Sequence, residues 1–228
     1  MNRIMDITFK LTFFGFAMFL IGCSKTENAD LPDLKKEYFP LSPGRSITYQ
    51  VDSVAFNKFD NSEMKFSFQI KDTLITEIES GIRTHTVYIE RYKRENPASG
   101  WTFQKVISRN ITELRAEEFV DNQRFVRMVF PPFKSSIWNG NTYNNLEKQD
   151  YFYKSVDKKD TINSLAFDSV AVVVQVDESN LLNEHFAEEH YAKHVGLVKK
   201  QVKSIEKDFY TQKTTHGYIY TMQILSFK

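Results

Sequence analysis

One cysteine, Cys23, is all the thiol chemistry this 228-residue chain carries. A lone thiol closes no intramolecular disulfide and builds no multi-cysteine zinc set, so both are excluded. Glycine is sparse as well. Of eight, Gly15 and Gly22 lie in the first 22 residues, and Gly44, Gly81, Gly100, Gly140, Gly196 and Gly217 stand singly. Phosphate-cradling loops and the Gly-x-Ser-x-Gly nucleophile elbow are therefore missing. The apolar run from Leu11 to Ile21 falls short of the roughly 20 residues that a membrane span needs. Neither sign of charge is in excess. Of 30 basic and 29 acidic residues, Arg3, Lys10 and Asp6 lie in the first 22, which leaves 28 of each beyond. That balance offers no basic face to a nucleic acid. The short pairs Lys35-Lys36, Lys158-Lys159 and Lys199-Lys200 read as solvated strand ends or loops.

What is present at the N-terminus has the order of an export signal. Arg3 and Lys10 precede the apolar run, and Leu20-Ile21-Gly22-Cys23 ends it with small residues. The tetrapeptide resembles the lipobox of bacterial lipoproteins. That resemblance implies cleavage before Cys23, a diacylglyceryl thioether on its sulfur and an N-acyl chain such as palmitate. Several chains are needed, because each buried methylene contributes roughly 0.8 kcal/mol and one chain holds only marginally. By the same resemblance Ser24, where Asp would retain the protein at the inner membrane, implies the outer membrane. Ser24-Lys25-Thr26-Glu27 holds a single acid, so the face of that membrane is left open. Residues 1–22 thus read as a lipoprotein signal peptide and 23–37 as a lipidated, flexible tether. Residues 38–228 read as a single β-rich domain.

Period-two alternation dominates that domain. Met64, Phe66, Phe68 and Ile70 share one face, and Leu74, Thr76 and Ile78 continue the parity after an interruption at Asp72. Ser80-Gly81 and Asn96 to Gly100 supply turns. Strands are predicted over Ile82–Arg91, Trp101–Arg109, Thr112–Glu118, Arg124–Phe130, Tyr151–Asp157, Asp168–Asp177 and Tyr218–Ile224. Val170 to Val176 is nearly continuous and β-branched, as in a strand covered on both faces. The predicted fold class is all-β, or β-rich α+β: an antiparallel meander forming a curved sheet, barrel or half-barrel, or a sandwich.

Two further motifs resemble a broad group of bacterial lipoproteins and periplasmic proteins with uncharacterised β domains. One is the turn Tyr38-Phe39-Pro40-Leu41-Ser42-Pro43-Gly44 leading to Tyr49, with Ile47 where that group usually has Trp. The other is Tyr191-Ala192-Lys193-His194-Val195-Gly196-Leu197-Val198, with His194 in place of a small residue. The half-barrel of lipoprotein carriers and their outer-membrane receptors is a relative at the level of architecture only.

Candidate site residues are few. His190 and His194 stand four apart, as zinc ligands on a helix would, yet neither His-Glu-x-x-His nor His-x-x-Glu-His is present. Residues 184–194 read instead as a polar turn before a strand, and no metal or cofactor is expected. Pro131 to Tyr143 reads as a long loop carrying Trp138 and Tyr143, a candidate ligand site whose bland reading is Trp138 tucked under the domain as a plug. Asp52-Ser53-Val54, Asp72-Thr73-Leu74, Asp160-Thr161-Ile162 and Asp168-Ser169-Val170 resemble the Asp-Ser/Thr-apolar acceptor of bacterial O-glycosylation. The expected role is a non-enzymatic, membrane-anchored envelope lipoprotein that binds a hydrophobic ligand or scaffolds another envelope protein. A hydrolase using paired carboxylates and a carrier of lipid or lipoproteins are the alternatives.

Overall fold

Alternating side chains make strands, and here twelve of them follow one another with no α-helix among the described residues. A computed structural model describes residues 32–60, 62–79 and 85–228. Cys23, the segment read as a signal peptide, most of the segment read as a tether and the Ser80-Gly81 turn lie outside them. The strands are β1 (Ser46–Phe56), β2 (Glu63–Glu79), β3 (His85–Arg94), β4 (Thr102–Ile111), β5 (Arg115–Val120) and β6 (Gln123–Val129). They continue as β7 (Ile137–Asn139), β8 (Asp150–Ile162), β9 (Leu165–Ser179), β10 (Asn183–Ala192), β11 (Gly196–Lys207) and β12 (Thr214–Phe227). One 3-10 turn, Lys36–Tyr38, precedes them.

Each strand pairs antiparallel with its sequence neighbours except across β6 and β7, and β12 returns to pair with β1. Ile47 lies opposite Phe227 and Phe56 opposite Gly217. The result is one nearly closed, twelve-stranded barrel-like sheet, so the sandwich alternative does not form. Short turns set the meander. Asp121-Asn122 (φ 50° and 60°) and Asn163-Ser164 (φ 48° and 68°) are left-handed at both central positions. That is the two-residue hairpin geometry whose twist matches the flanking strands. Bulges in β8, between Tyr153 and Ser155, Ser155 and Lys158, and Lys158 and Asp160, curl the sheet further. Gly217 (φ 108°) sits where a Cβ would lie 2.0 Å from the Ser204 carbonyl oxygen, so no other residue fits.

The β6–β7 seam closes by single bonds instead of a ladder. Val126 N–H donates to the Gly140 carbonyl at 2.9 Å. Trp138 Nε1 donates to the Val126 carbonyl at 2.9 Å. The Tyr153 hydroxyl donates to the Val129 carbonyl at 2.7 Å and accepts from the Val129 amide at 3.2 Å.

Ile47, Tyr49 and Val51 on β1, Met222 and Ile224 on β12, and Val170 to Val173 on β9 are buried in the main core. Burying each aliphatic side chain contributes roughly 1.5–3 kcal/mol. One end of the barrel, here termed proximal, is stoppered by the segment before β1. Tyr38 and Phe39 are buried there. The Tyr38 hydroxyl donates to Asp157 Oδ1 at 2.8 Å, and the Phe39 ring stands 5.9 Å from that of Tyr191.

Two local readings change. Residues 184–194 are mostly strand β10, and the turn is confined to Lys193–Val195, because β9 and β11 flank the segment and satisfy its backbone. The 131–143 segment contains the short strand β7, which pairs Ile137 with Phe152.

Candidate functional site

Inward-facing positions of a barrel are ordinarily apolar, and this barrel breaks the rule in one layer. Arg91 on β3 shares its parity with Val87 and Ile89, yet its Nε and Nη2 donate to Asp72 Oδ1 and Oδ2 on β2, both at 2.7 Å. Arg109 on β4 donates through Nε to Glu118 Oε2 on β5 at 2.8 Å. Arg127 on β6 reaches the other oxygen of Glu118 at 2.9 Å through Nη2, and its Nη1 stands 3.7 Å from Glu189 Oε1 on β10. Lys200 on β11 donates to Glu189 Oε1 at 2.8 Å, and the Tyr191 hydroxyl to Glu189 Oε2 at 2.6 Å. The chain of charges thus runs across the inside from β4 to β11.

Burial opposes charge on Glu118, but Arg127, Arg109 and Arg91 outweigh it and hold its carboxyl well below the usual range. Burial likewise opposes ionisation of Glu189, and Lys200 with Arg127 brings its carboxyl down to about 2. Burial, with Asp72, raises the Tyr49 phenol, and burial, with Glu189, raises that of Tyr191, so both stay neutral. A cavity of about 100 Å³ lies in this layer, lined by Arg91, Arg109, Glu118, Glu189, Lys200 and Tyr220 among others.

At the distal end, three neighbouring hairpins carry apolar side chains into solvent. Phe59, between β1 and β2, is 98% exposed, and Tyr210, between β11 and β12, is 88% exposed. Leu181 and Leu182 occupy the β9–β10 tip and are exposed too. These tips are ordered by their own polar groups. Asp208 Oδ1 accepts from the Tyr210 amide at 3.1 Å and the Thr211 amide at 2.7 Å. The Lys207 amide donates to the Leu182 carbonyl at 2.7 Å, tying the β9–β10 and β11–β12 tips together. Lys58 reaches Glu206 at 3.4 Å from the β1–β2 tip. Between them lies an open hollow of about 500 Å³ lined by Lys58, Leu182, Glu206 and Phe209.

The residues singled out from the sequence fall elsewhere. Trp138 is committed to the seam, with its ring 4.9 Å from Tyr153 and 6.1 Å from Tyr151. Tyr143 lies over the guanidinium groups of Arg124 and Arg115, at 4.5 Å and 4.8 Å, which both bind the buried Glu117. His190 is on β10, with Nδ1 3.1 Å from Asp160 Oδ2 and Nε2 2.9 Å from Glu188 Oε1. The bond from His190 is the first cause that lowers the Glu188 carboxyl. His194 lies beyond the strand end at φ 62°, its amide donating to the Glu37 carbonyl at 2.7 Å. The structure therefore gathers Asp160, Glu188 and His190 and places His194 in the next turn. Among the described residues no group of three or more His, Cys, Asp or Glu is arranged to hold a metal. In the Asp-Ser/Thr triplets, Asp72 is buried against Arg91, and the hydroxyls of Ser53 and Ser169 donate to the Ile219 carbonyl and to Asp157.

Sequence reasoning missed the interior charge layer and the distal tips. The interruption of the β2 parity at Asp72 was the available signal for the first. The tips left a weaker one: Phe59, Leu181 and Tyr210 stand inside turn-forming stretches rich in Asn and Asp.

No protein-family model matches the chain, and no curated protein matches it. Solved structures resemble it in the run of the backbone alone. A protein described as exported, with a YmcC-like fold, from Bacteroides fragilis gives a TM-score of 0.48 at 9% identity, covering 83% of this chain and 98% of that one. A protein described as a lipoprotein, from Parabacteroides distasonis, gives 0.42 at 11% identity, covering 84% and 98%. A LolA-superfamily protein from Nitrosomonas europaea gives 0.19 at 13% identity, covering 86% and 89%.

Proposed function

We propose that this chain is a non-enzymatic lipoprotein of the cell envelope, held on the outer membrane by acylated Cys23 and the 23–37 tether. Its single β domain, residues 38–228, presents the distal hairpin tips to another envelope protein. The observation that carries the reading is the set of exposed apolar side chains, Phe59, Leu181, Leu182, Phe209 and Tyr210, on three adjacent hairpins. Exposed apolar groups gathered at one end of a domain are the usual mark of an interaction site. Aromatic residues such as these are favoured at the centre of interfaces.

The alternatives find less support. Glycoside hydrolysis by paired carboxylates needs one of the pair protonated at working pH. Glu118 and Glu189 are both ionised, and both are occupied by cations. A carrier of acyl chains needs an enclosed apolar volume of several hundred Å³, whereas the interior cavity here is about 100 Å³ and lined by charges.

A photo-crosslinking residue at position 59 or 210, in the natively anchored protein, tests the proposal. The expected outcome is a discrete adduct with one envelope protein, recovered after mild detergent extraction. A Leu181→Ser/Leu182→Ser variant abolishes that adduct without altering thermal stability, since exposed substitutions usually stay within about 0.5 kcal/mol. Adducts that are equally abundant from a proximal position, or unchanged in the variant, overturn the reading.

A further inference from the structure

The interior layer carries one more positive than negative group. Its cations are Arg91, Arg109, Arg127 and Lys200, and its carboxylates are Asp72, Glu118 and Glu189. The phenols nearby supply no fourth anion, because burial keeps Tyr49, Tyr191 and Tyr220 protonated. Exposure is also unequal. The Arg91 and Lys200 side chains are 18% and 26% exposed, whereas their partners Asp72 and Glu189 are 1% and 2%. In these two pairs the cation is the partner nearer the open side, whereas Arg109 and Arg127 are buried as deeply as the Glu118 they share.

Donors remain to be used. Arg91 directs Nε and Nη2 to Asp72, and Arg109 directs Nε to Glu118, which leaves Arg91 Nη1 and both Arg109 Nη atoms with no described acceptor. They are not sealed in. Among the described residues the sealed side-chain atoms without a partner are Asn110 Oδ1 and Gln175 Nε2. Arg91, Arg109 and Lys200 all line the cavity of about 100 Å³. A buried, unbalanced cation is costly, and a carboxylate matches the guanidinium fork with two parallel bonds.

We propose that this cavity is a binding site for a single carboxylate, received by Arg91, Arg109 and Lys200. The carboxylate belongs either to a free small acid or to the head of a longer amphiphile. In the second case the rest of the molecule lies along Tyr220 and Phe68. Tyr220 lines the cavity, and Phe68 stands opposite Val51, itself opposite Met222 of the cavity wall.

The full chain is titrated with acetate, butyrate and hexanoate while its thermal midpoint is followed. The control is a bulky sulfonate, too large for the cavity, at equal ionic strength. A ligand that binds only the folded state raises the midpoint with concentration, and a rise with carboxylate beyond the sulfonate control is expected. If affinity grows about fourfold per added methylene, the site takes the head of an amphiphile. If affinity is flat or falls along the series, it takes a free small acid. A midpoint that is the same in every carboxylate as in sulfonate overturns the site and leaves a water-filled cavity.

Charge counting sets the variants. Lys200→Met leaves three cations against three carboxylates and weakens the response tenfold or more. Glu189→Gln doubles the excess charge and strengthens it. The double variant Glu189→Gln/Lys200→Met keeps an excess of one with Arg91 and Arg109 in place and retains a response, weaker than the native chain's by the lost Lys200 contact, so it decides the matter if Lys200→Met alone does not fold. A response retained in folded Lys200→Met, or lost from the double variant, overturns the proposal.

Discussion

Glu118 is the residue on which the barrel interior turns, because its two oxygens are divided between Arg109 and Arg127. Desolvating a charge is expensive, and a buried pair repays that expense only while both partners are present. Glu118→Gln keeps the shape and removes the charge, so it leaves two guanidinium groups with no shared anion. The expected loss is about 3–5 kcal/mol in urea unfolding. A loss below about 1 kcal/mol would mean that water already screens the layer. The sequence carried a trace of this arrangement. Val87, Ile89 and Arg91 share a parity, as do Ile107 and Arg109, and Asp72 breaks the apolar face of β2. Nothing in that pattern marks such a charge as buried, because alternation says which face a side chain takes and not whether an opposite charge awaits it.

Whole elements were legible where one face is apolar and the other polar, as in β2 and β12. The β10 strand was not, because Glu184, His185, Glu188, Glu189 and His190 put charge on both faces. The lysines that pair with its glutamates come from other strands: Lys203 and Lys207 for Glu184, Lys200 for Glu189, and Lys154 from β8 for Glu188. No window on β10 alone holds that information. The seam is a second element written in particulars. Gly140 accepts the Val126 amide and passes so close to Tyr151 that a Cβ would lie 2.3 Å from its ring. Gly140→Ala must displace either the ring or the backbone. A loss of about 1–3 kcal/mol is expected for such overpacking, together with faster hydrogen exchange at the Val126 amide. Gly100→Ala, where nothing lies within 4 Å, serves as the control. Equal exchange at Val126 in both variants would show that the seam is held by Trp138 and Tyr153 without Gly140.

The closure of the whole molecule could not be read from local pattern, since it joins residues that are far apart along the chain. The Ser46 and Lys228 backbones exchange hydrogen bonds of 3.1 Å and 2.9 Å, and β1 is flanked by β2 and β12. Closing the sheet is also what gathers the charges of β2 to β6 and of β10 and β11 into one interior, so acid stability is a property of the whole barrel. The Glu118 and Glu189 carboxyls titrate lower in the folded than in the unfolded chain, where a glutamate titrates near 4.3. Their contribution is therefore complete above about pH 4.5 and is lost as pH falls toward the folded value, which for Glu189 is about 2. Glu189 alone accounts for a term on the order of 3 kcal/mol at neutral pH. Below the window, Glu189 no longer balances Arg127 and Lys200, and the cations of the layer repel one another. Far-UV circular dichroism against pH is expected to show the native chain folded to about pH 3 and unfolding below it. Lys200→Met removes the largest attraction that holds the Glu189 carboxyl down. Its acid midpoint should move up by roughly one pH unit, toward the ordinary glutamate value. Identical midpoints for the two proteins would place the acid-sensitive carboxylates outside the barrel, at groups such as Asp157, which Lys35 holds low by a hydrogen bond at the proximal end.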